Sequence, residues 1–476
     1  MGIGIVSCMI ALILLWFVVL MVRAVLCRIQ GRGLTQKQTI ATPDEEYYYA
    51  SRLANMIACK TISRKNQFEA EEFLKLREVL ARLFPMVSKS AEIRFFGDDC
   101  YVYKLAGMHS DKNVMVMSHH DVVDVQGDWR YPPFSGQIAE NCIWGRGTVD
   151  TKTPLFAEFS ALEELLSEGW KPACNVYLVS SHNEEIAGNG VPLVLQWLQE
   201  QKITFDWILD EGGAVIDAPM SGIHCKCAML AVHEKGRYTI RIKASEQSGH
   251  GSLAAQVTPP AVRMAEFITQ IEKKQPFLRT MHPEVLAMFG ALAPYMTFPM
   301  RLIFANMWCF QGILKRLIPS LNAQAGSMLG TTCTFKNLQT AANGDCTAEV
   351  FFRCVKEEDL KQDIQMFREI AEQRQIEITE VLEDEYHRPA NLNSQGYQYI
   401  KECVERNFGY AACAPFILPA GTDARHFSDL SSAVIRFAPI DINQQQYASV
   451  HNIDENISIE AVVRAVKFYK DVLRSV

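Results

Sequence analysis

Residues 3 to 22 carry no charge and are built almost wholly from Ile, Leu, Val, Met, Phe and Trp. About 20 helical residues cross a bilayer core, so the stretch predicts one membrane-spanning helix. Arg23, Arg28 and Arg32 follow it. A cleaved signal would have a shorter apolar run with basic residues in front, so an uncleaved single-pass anchor is expected. The positive-inside rule would leave the rest of the chain in the cytoplasm, but the sequence leaves both sides of the membrane open. Residues 24–41 are polar and read as a linker. Thr42-Pro43-Asp44-Glu45 is a capping box with Pro at the first helical position, and a folded unit begins there.

Beyond it the pattern alternates between two periods. Val114–Met117, Asn175–Ser180 and Phe205–Leu209 are short apolar strands. Leu155, Phe159, Leu162 and Leu166 mark one face of a helix, and residues 191–199 make another. Strand–helix alternation predicts an α/β fold with a mainly parallel sheet and helices on both faces. Near residue 232 the texture changes. Residues 237–243 alternate like a half-exposed strand; Pro259-Pro260 opens a helix with Val262, Phe267 and Ile271; Leu360, Ile364 and Phe367 mark one more. A smaller α+β unit, 232–385, is therefore expected between two parts of the first unit, 42–231 and 386–476, with 1–41 as anchor and linker. The last helix carries Val462, Val466, Tyr469 and Leu473. Residues 287–319 are strongly apolar, with Trp308, five Phe or Tyr, and prolines that rule out a membrane span. They fit ordinary core or dimer packing, a wall for a greasy ligand, or a membrane-resting face.

The length of 476 residues exceeds one ordinary core, and 21% charged residues fit a globular chain. A net charge of −7 without a basic block argues against nucleic acid as a partner. The 14 cysteines are irregularly spaced with no Cys-x-x-Cys, so mostly free, buried thiols are expected.

Chemistry gathers just after the strands, where open α/β sheets place their sites. His119 follows the first strand, and Asp121 two positions on can hold its second ring nitrogen. His120 faces the other way. Asp150 sits in Gly145-Arg-Gly-Thr-Val-Asp, where glycines permit close backbone approach, and could bridge two ions about 3.5–4 Å apart. Glu184 and Glu185 point in different directions, so one can bind metal while the other serves as general base. Asp210 follows the third strand, and His451 lies near the C-terminus.

Together these strings resemble the aminoacylase, carboxypeptidase S and glutamate carboxypeptidase family of dizinc metallopeptidases. The branch with carboxypeptidase S and the N-fatty-acyl-amino-acid synthase/hydrolases fits best. Trp129–Gly136, Ser248-Gly-His-Gly-Ser252, Ala420-Gly-Thr-Asp-Ala-Arg425 and Val450-His-Asn-Ile-Asp-Glu455 share in the resemblance. It implies two Zn2+ per subunit, one held by His119, Asp150 and Asp210, the other by Asp150, Glu185 and His451. Asp121 would orient His119, Glu184 would be the base, and His250 would reach the scissile carbonyl from a lid that also supports a homodimer. Arg353 would grip a substrate carboxylate. The expected activity is cleavage of an amide next to a free amino-acid carboxylate, in a peptide C-terminus or an N-acyl amino acid. The alternatives are a lipid-amide synthase/hydrolase and, in another class, an inactive membrane-bound scaffold. Two departures stand out. The strand before Arg353 reads Asn343-Gly-Asp-Cys-Thr-Ala-Glu-Val350, shorter than the family's string, and Ala420 stands where Gly or Asn is common.

Overall fold

A computed structural model describes residues 2–246 and 258–476. A large sheet runs, edge to edge, through Glu92–Phe96, Cys100–Leu105, Cys174–Ser180, His109–Met117, Trp207–Asp210, Val434–Arg436, Cys227–Glu234 and Ala412–Leu418, with Val215–Ile216 paired to Cys227–Glu234. It is mixed rather than mainly parallel. The middle strands from Cys174–Ser180 to Val434–Arg436 pair in parallel, but the hairpin of Glu92–Phe96 and Cys100–Leu105 adds an antiparallel edge. Cys227–Glu234 also meets Val434–Arg436 in antiparallel sense. Long connections through helices join the parallel neighbours, whereas the tight turn between Phe96 and Cys100 permits only antiparallel pairing at the edge.

The sheet is covered on both faces, as alternation along its strands requires. Val114, Val116, Val176 and Leu178 enter one core, which the helices Lys152–Ser167 and Ile459–Arg474 close with Phe156, Phe159, Val462 and Tyr469. Met115, Met117, Tyr177 and Val179 enter the opposite core beneath the helix Gly190–Glu200.

A second sheet is antiparallel, in the order Thr332–Thr340, Cys346–Cys354, Gly236–Ala244, Glu377–Glu385. The helices Pro260–Lys274 and Glu357–Gln373 cover it through Phe267, Ile271 and Phe367. The shortened string before Arg353 is a tight turn, with Gly344 at φ +86°. The strand behind it is full length and paired on both sides.

The apolar stretch 287–319 does not join this smaller sheet, although it lies within the same sequence interval. Its helices pack on the large sheet, with Met288, Phe289, Leu292 and Phe304 against Met229, Ala231, Ala414 and Phe416. Strands Cys227–Glu234 and Ala412–Leu418 are apolar on that face, and Ile223, Met281 and Leu329 join the same core.

The N-terminal helix Gly2–Gln30 runs beyond the predicted span. Among the described residues it alone is long and apolar enough to cross a membrane. Most of it is exposed, but Leu20 and Ala24 are buried against the apolar stretch. Asn306 Nδ2 donates to Leu20 O at 3.0 Å, and Arg28 Nη1 donates to Pro294 O at 3.3 Å. These contacts explain why the helix continues into its polar end. All 14 cysteines are free.

Candidate metal centre

Neighbouring strands of the large sheet end side by side, so their following residues share one pocket. His119 is buried just past His109–Met117. Its Nε2 lies 3.0 Å from Asp150 Oδ1, and its Nδ1 lies 3.0 Å from the Asp121 carbonyl and 3.4 Å from Asp121 Oδ1. Asp150 turns its other oxygen to His451, with Oδ2 3.0 Å from Nε2. Glu185 Oε2 is also 3.0 Å from His451 Nε2. His119, Asp150 and Glu185 offer ligand atoms within 4.8 Å of one another. One carboxylate between two histidines, with a second acid closing the ring, is a donor set suited to a pair of divalent cations.

The turn that presents Asp150 is held from an unexpected quarter. Glu455, fully buried, accepts hydrogen bonds from the backbone N–H groups of Gly147, Val149 and Asp150, and pairs with Arg146 at 2.6 Å. Arg146 in turn stacks on Trp129. Gly145 and Gly147 both have positive φ, and a Cβ on either would strike Ile57 or Val122. Glu455 stands four residues after His451, so one segment carries a donor and the clamp for the bridging acid.

Asp121 also does more than face His119. Its carboxylate accepts from Ser63 Oγ at 2.6 Å and from the backbone N–H groups of Glu184 and Glu185 at 3.2 Å each. One acid thereby sets the positions of both glutamates. His120 points away, bonded to Ser180 Oγ and stacked on Tyr101.

Asp210 departs from expectation. Its carboxylate accepts from the Ala424 N–H at 2.9 Å and lies among Asp423 and Glu158, away from the pocket lining. Glu211, the next residue, lines the pocket with Asp150, Glu184, Glu185 and His451. Successive residues at a strand end face opposite ways. The rule applied to Glu184 and Glu185 in the sequence would have flagged Asp210 and Glu211 as a second such pair.

The charges are crowded. Burial pushes Glu184 and Glu211 well above the usual carboxylate range, and neighbouring acids add to it. Glu185 is raised by burial and by Asp150. Burial and Asp423 push Asp210 up to about 7. Asp150 and Glu185 together raise His451 to about 10. Burial alone would lower His119, but the Asp121 and Asp150 carboxylates hold it well above its ordinary value. So many acids around one pocket repel unless cations sit among them.

Arg353 lies on Cys346–Cys354 directly opposite Arg237 in the register. Its Nη1 is buried without a hydrogen-bond partner. A Cβ on Gly421, which lines the pocket, would lie 3.5 Å from Arg237 Nη2 and 3.8 Å from Arg353 Nη1. His250 lies outside the described residues.

A profile of the peptidase family M20/M25/M40 matches residues 115–475. The chain belongs to this family. It is 28% identical over 443 residues to a probable carboxypeptidase S-like 2 of Dictyostelium discoideum, covering 90% of this chain and 84% of that one. It is 29% identical over 413 residues to the N-fatty-acyl-amino acid synthase/hydrolase PM20D1 of Xenopus tropicalis, covering 84% and 80%. The fold matches an M20 family metallo-carboxypeptidase of Sulfolobus solfataricus with a TM-score of 0.64 at 18% identity, covering 90% of this chain and 99% of that one. The M20 protein is thus a metal-dependent hydrolase, as its resemblance implied.

Proposed function

We propose that this M20 protein is a dizinc amidohydrolase that cleaves an amide bond next to a free amino-acid carboxylate. The observation that carries this reading is Asp150, whose two oxygens face His119 and His451 separately, with Glu184 beside them in one pocket. Histidine and carboxylate donors suit zinc. His119, Asp150 and Glu211 would hold one ion, with Glu211 in place of Asp210; Asp150, Glu185 and His451 would hold the other. When bound, the two ions acidify a water and polarise the amide carbonyl.

Glu184 takes a proton from the attacking water as its oxygen bonds to the carbonyl carbon. It returns that proton to the nitrogen as the carbon–nitrogen bond breaks. Arg353, with Arg237, grips the free carboxylate through charge-assisted hydrogen bonds. His250 is assigned to the carbonyl oxygen, carried by 232–385 acting as lid and homodimer contact. The N-terminal helix is assigned as a single-pass membrane anchor. Exposed Phe298, Trp308, Ile313 and Leu317, on the stretch packed against that helix, would rest on the same membrane surface.

The names of the relatives leave two substrates, a peptide C-terminus and an N-acyl amino acid. The intact donor set speaks against an inactive scaffold. Glu184→Gln is expected to retain two zinc ions and lose about 10²–10⁴-fold in kcat. Turnover retained in that variant, measured beside its zinc content, overturns the mechanism.

A further inference from the structure

Two buried arginines beside the large sheet, Arg146 and Arg436, are each paired with a buried glutamate, Glu455 and Glu234. Four arginines where the N-terminal helix meets the rest of the chain are not. Among the described residues, every oxygen that accepts from them belongs to the backbone. Arg23 Nη2 donates to Ala305 O at 3.4 Å, and Arg28 Nη1 and Arg301 Nη1 both donate to Pro294 O, at 3.3 and 3.5 Å. Arg32 donates to Gly409 O at 3.2 Å and to Ala411 O at 2.9 Å. Arg301 Nε is buried with no hydrogen-bond partner among the described residues. A guanidinium carries more N–H donors than these bonds use. Carbonyls orient it but bring no net charge, so four like charges gather here with no carboxylate paired to any of them.

Between them lies a cavity of about 680 Å³, within the range of small-ligand sites. The end of the N-terminal helix forms one wall, the apolar stretch and the catalytic unit the others. Its charged lining is Arg23, Arg32, Lys401 and Glu405. Glu405, the one acid among these, is held by Lys401 at 3.0 Å. The lining is therefore net positive. It also sits at a defined level. Arg23 is the first charged residue after the uncharged run 3–22, where a spanning helix leaves the hydrocarbon and meets the phosphates of the bilayer. Exposed Trp308 donates to Asn306, which itself bonds to Leu20 O, and tryptophan favours that same headgroup zone.

We propose that this cavity is a site for the phosphate of an anionic phospholipid, which bridges the N-terminal helix and the catalytic unit. The proposal rests on the helix being a membrane anchor and is independent of which amide is cleaved. Guanidiniums match phosphate oxygens through charge-assisted, paired hydrogen bonds. A choline headgroup would set its own cation against Arg23, Arg32 and Lys401. A lipid whose headgroup carries no cation, such as phosphatidylglycerol, fits this lining better.

The test strips the full-length protein of lipid in neutral detergent, offers it equal amounts of phosphatidylglycerol and phosphatidylcholine, and weighs it intact by native mass spectrometry. One phosphatidylglycerol per chain is expected, retained at least about tenfold over phosphatidylcholine. One cation near an anionic headgroup contributes about fivefold to binding. Arg23→Gln keeps a donor for Ala305 O and is expected to weaken retention by about that factor. Lys401→Glu reverses a lining charge without touching a backbone bond, and is expected to weaken it more than about tenfold. Arg316→Gln, at an exposed arginine outside the cavity, is expected to change nothing. Equal retention of the two lipids, or an equal loss in Arg316→Gln, overturns the site in favour of diffuse surface attraction. Retention of added inorganic phosphate without any lipid overturns the lipid as occupant. Carbonate extraction of cell membranes checks the anchor separately. A chain that resists carbonate yet shows no lipid preference keeps the anchor and loses the site; a chain released by carbonate loses the anchor, and the proposal falls with it.

Discussion

The metal pocket and the apolar cavity beside it, lined by Met220, Met229, Met288 and Met328, share Gly213, Ala214, Leu418 and Ala420, yet opposite forces hold them. The pocket is a set of acids and histidines whose mutual repulsion is built into the fold and relieved by cations. Its geometry depends on hydrogen bonds aimed at single atoms, such as the three N–H groups that meet Glu455. The cavity is a gap among side chains that attract one another without direction. The first region must be specified atom by atom; the second needs only apolar bulk of the right volume.

The sharpest way to break this comparison is to delete one anchor from each side. Glu455→Ala leaves Arg146 buried without its partner and frees three backbone donors. A cost of about 3–5 kcal/mol is expected, with loss of bound metal, because the Asp150 turn is no longer held. Phe304→Ala removes a ring stacked on Phe289 at 4.5 Å. It should cost about 3 kcal/mol, with the metal content unchanged. Chemical denaturation paired with elemental analysis reads both. Equal metal loss in the two variants would mean that the regions are one cooperative unit and the contrast is false.

A finer cut separates two adjacent acids. Glu211→Gln is expected to lose one ion per chain and more than about 100-fold in metal affinity, a larger loss than those seen for groups that only orient ligands. Asp210→Asn keeps an acceptor for the Ala424 N–H and should hold both ions. The reverse result would return the ligand role to Asp210.

That pair also marks where the sequence stopped being readable. His119, Asp150 and Glu185 could be found because each follows a strand or sits in a glycine turn of recognisable type, His451 only through the resemblance carried by Val450-His-Asn-Ile-Asp-Glu455, and those four do converge. The helices Lys152–Ser167 and Ile459–Arg474 were legible from apolar spacing alone. The clamp Glu455 was not, because it is more than three hundred residues from Arg146 in the chain and nothing local marks it as buried. Nor was the antiparallel edge of the large sheet, whose hairpin strand Glu92–Phe96 is mostly exposed and lacks an apolar run. The apolar stretch 287–319 was visible, but its partner was not. Hydrophobicity says that a surface will be covered and leaves open which sheet will cover it.

The smallest effect concerns protons, and it tests whether the crowding of acids is real. In the metal-free protein Glu184, Glu185 and Glu211 are raised by burial, and His451 is raised to about 10 by Asp150 and Glu185. A group whose folded pKa lies above its unfolded value stabilises the fold at low pH and loses that contribution as pH climbs through the folded value. All four groups run in that direction, so their contribution to the stability of the metal-free protein should fall from about pH 5, just above the unfolded glutamate range, towards pH 8, while His233 and His282, which burial lowers to about 4, add stability as pH rises to their unfolded range near 6.5. Asp121 and Asp150 are lowered and act the other way, but only at more acidic pH. Cations displace these same protons, so zinc affinity should rise about tenfold per pH unit for each proton released. Zinc competition titrations at pH 6, 7 and 8, run beside thermal unfolding of the metal-free protein, read the two slopes together. An affinity independent of pH would mean that the pocket acids are already ionised without metal.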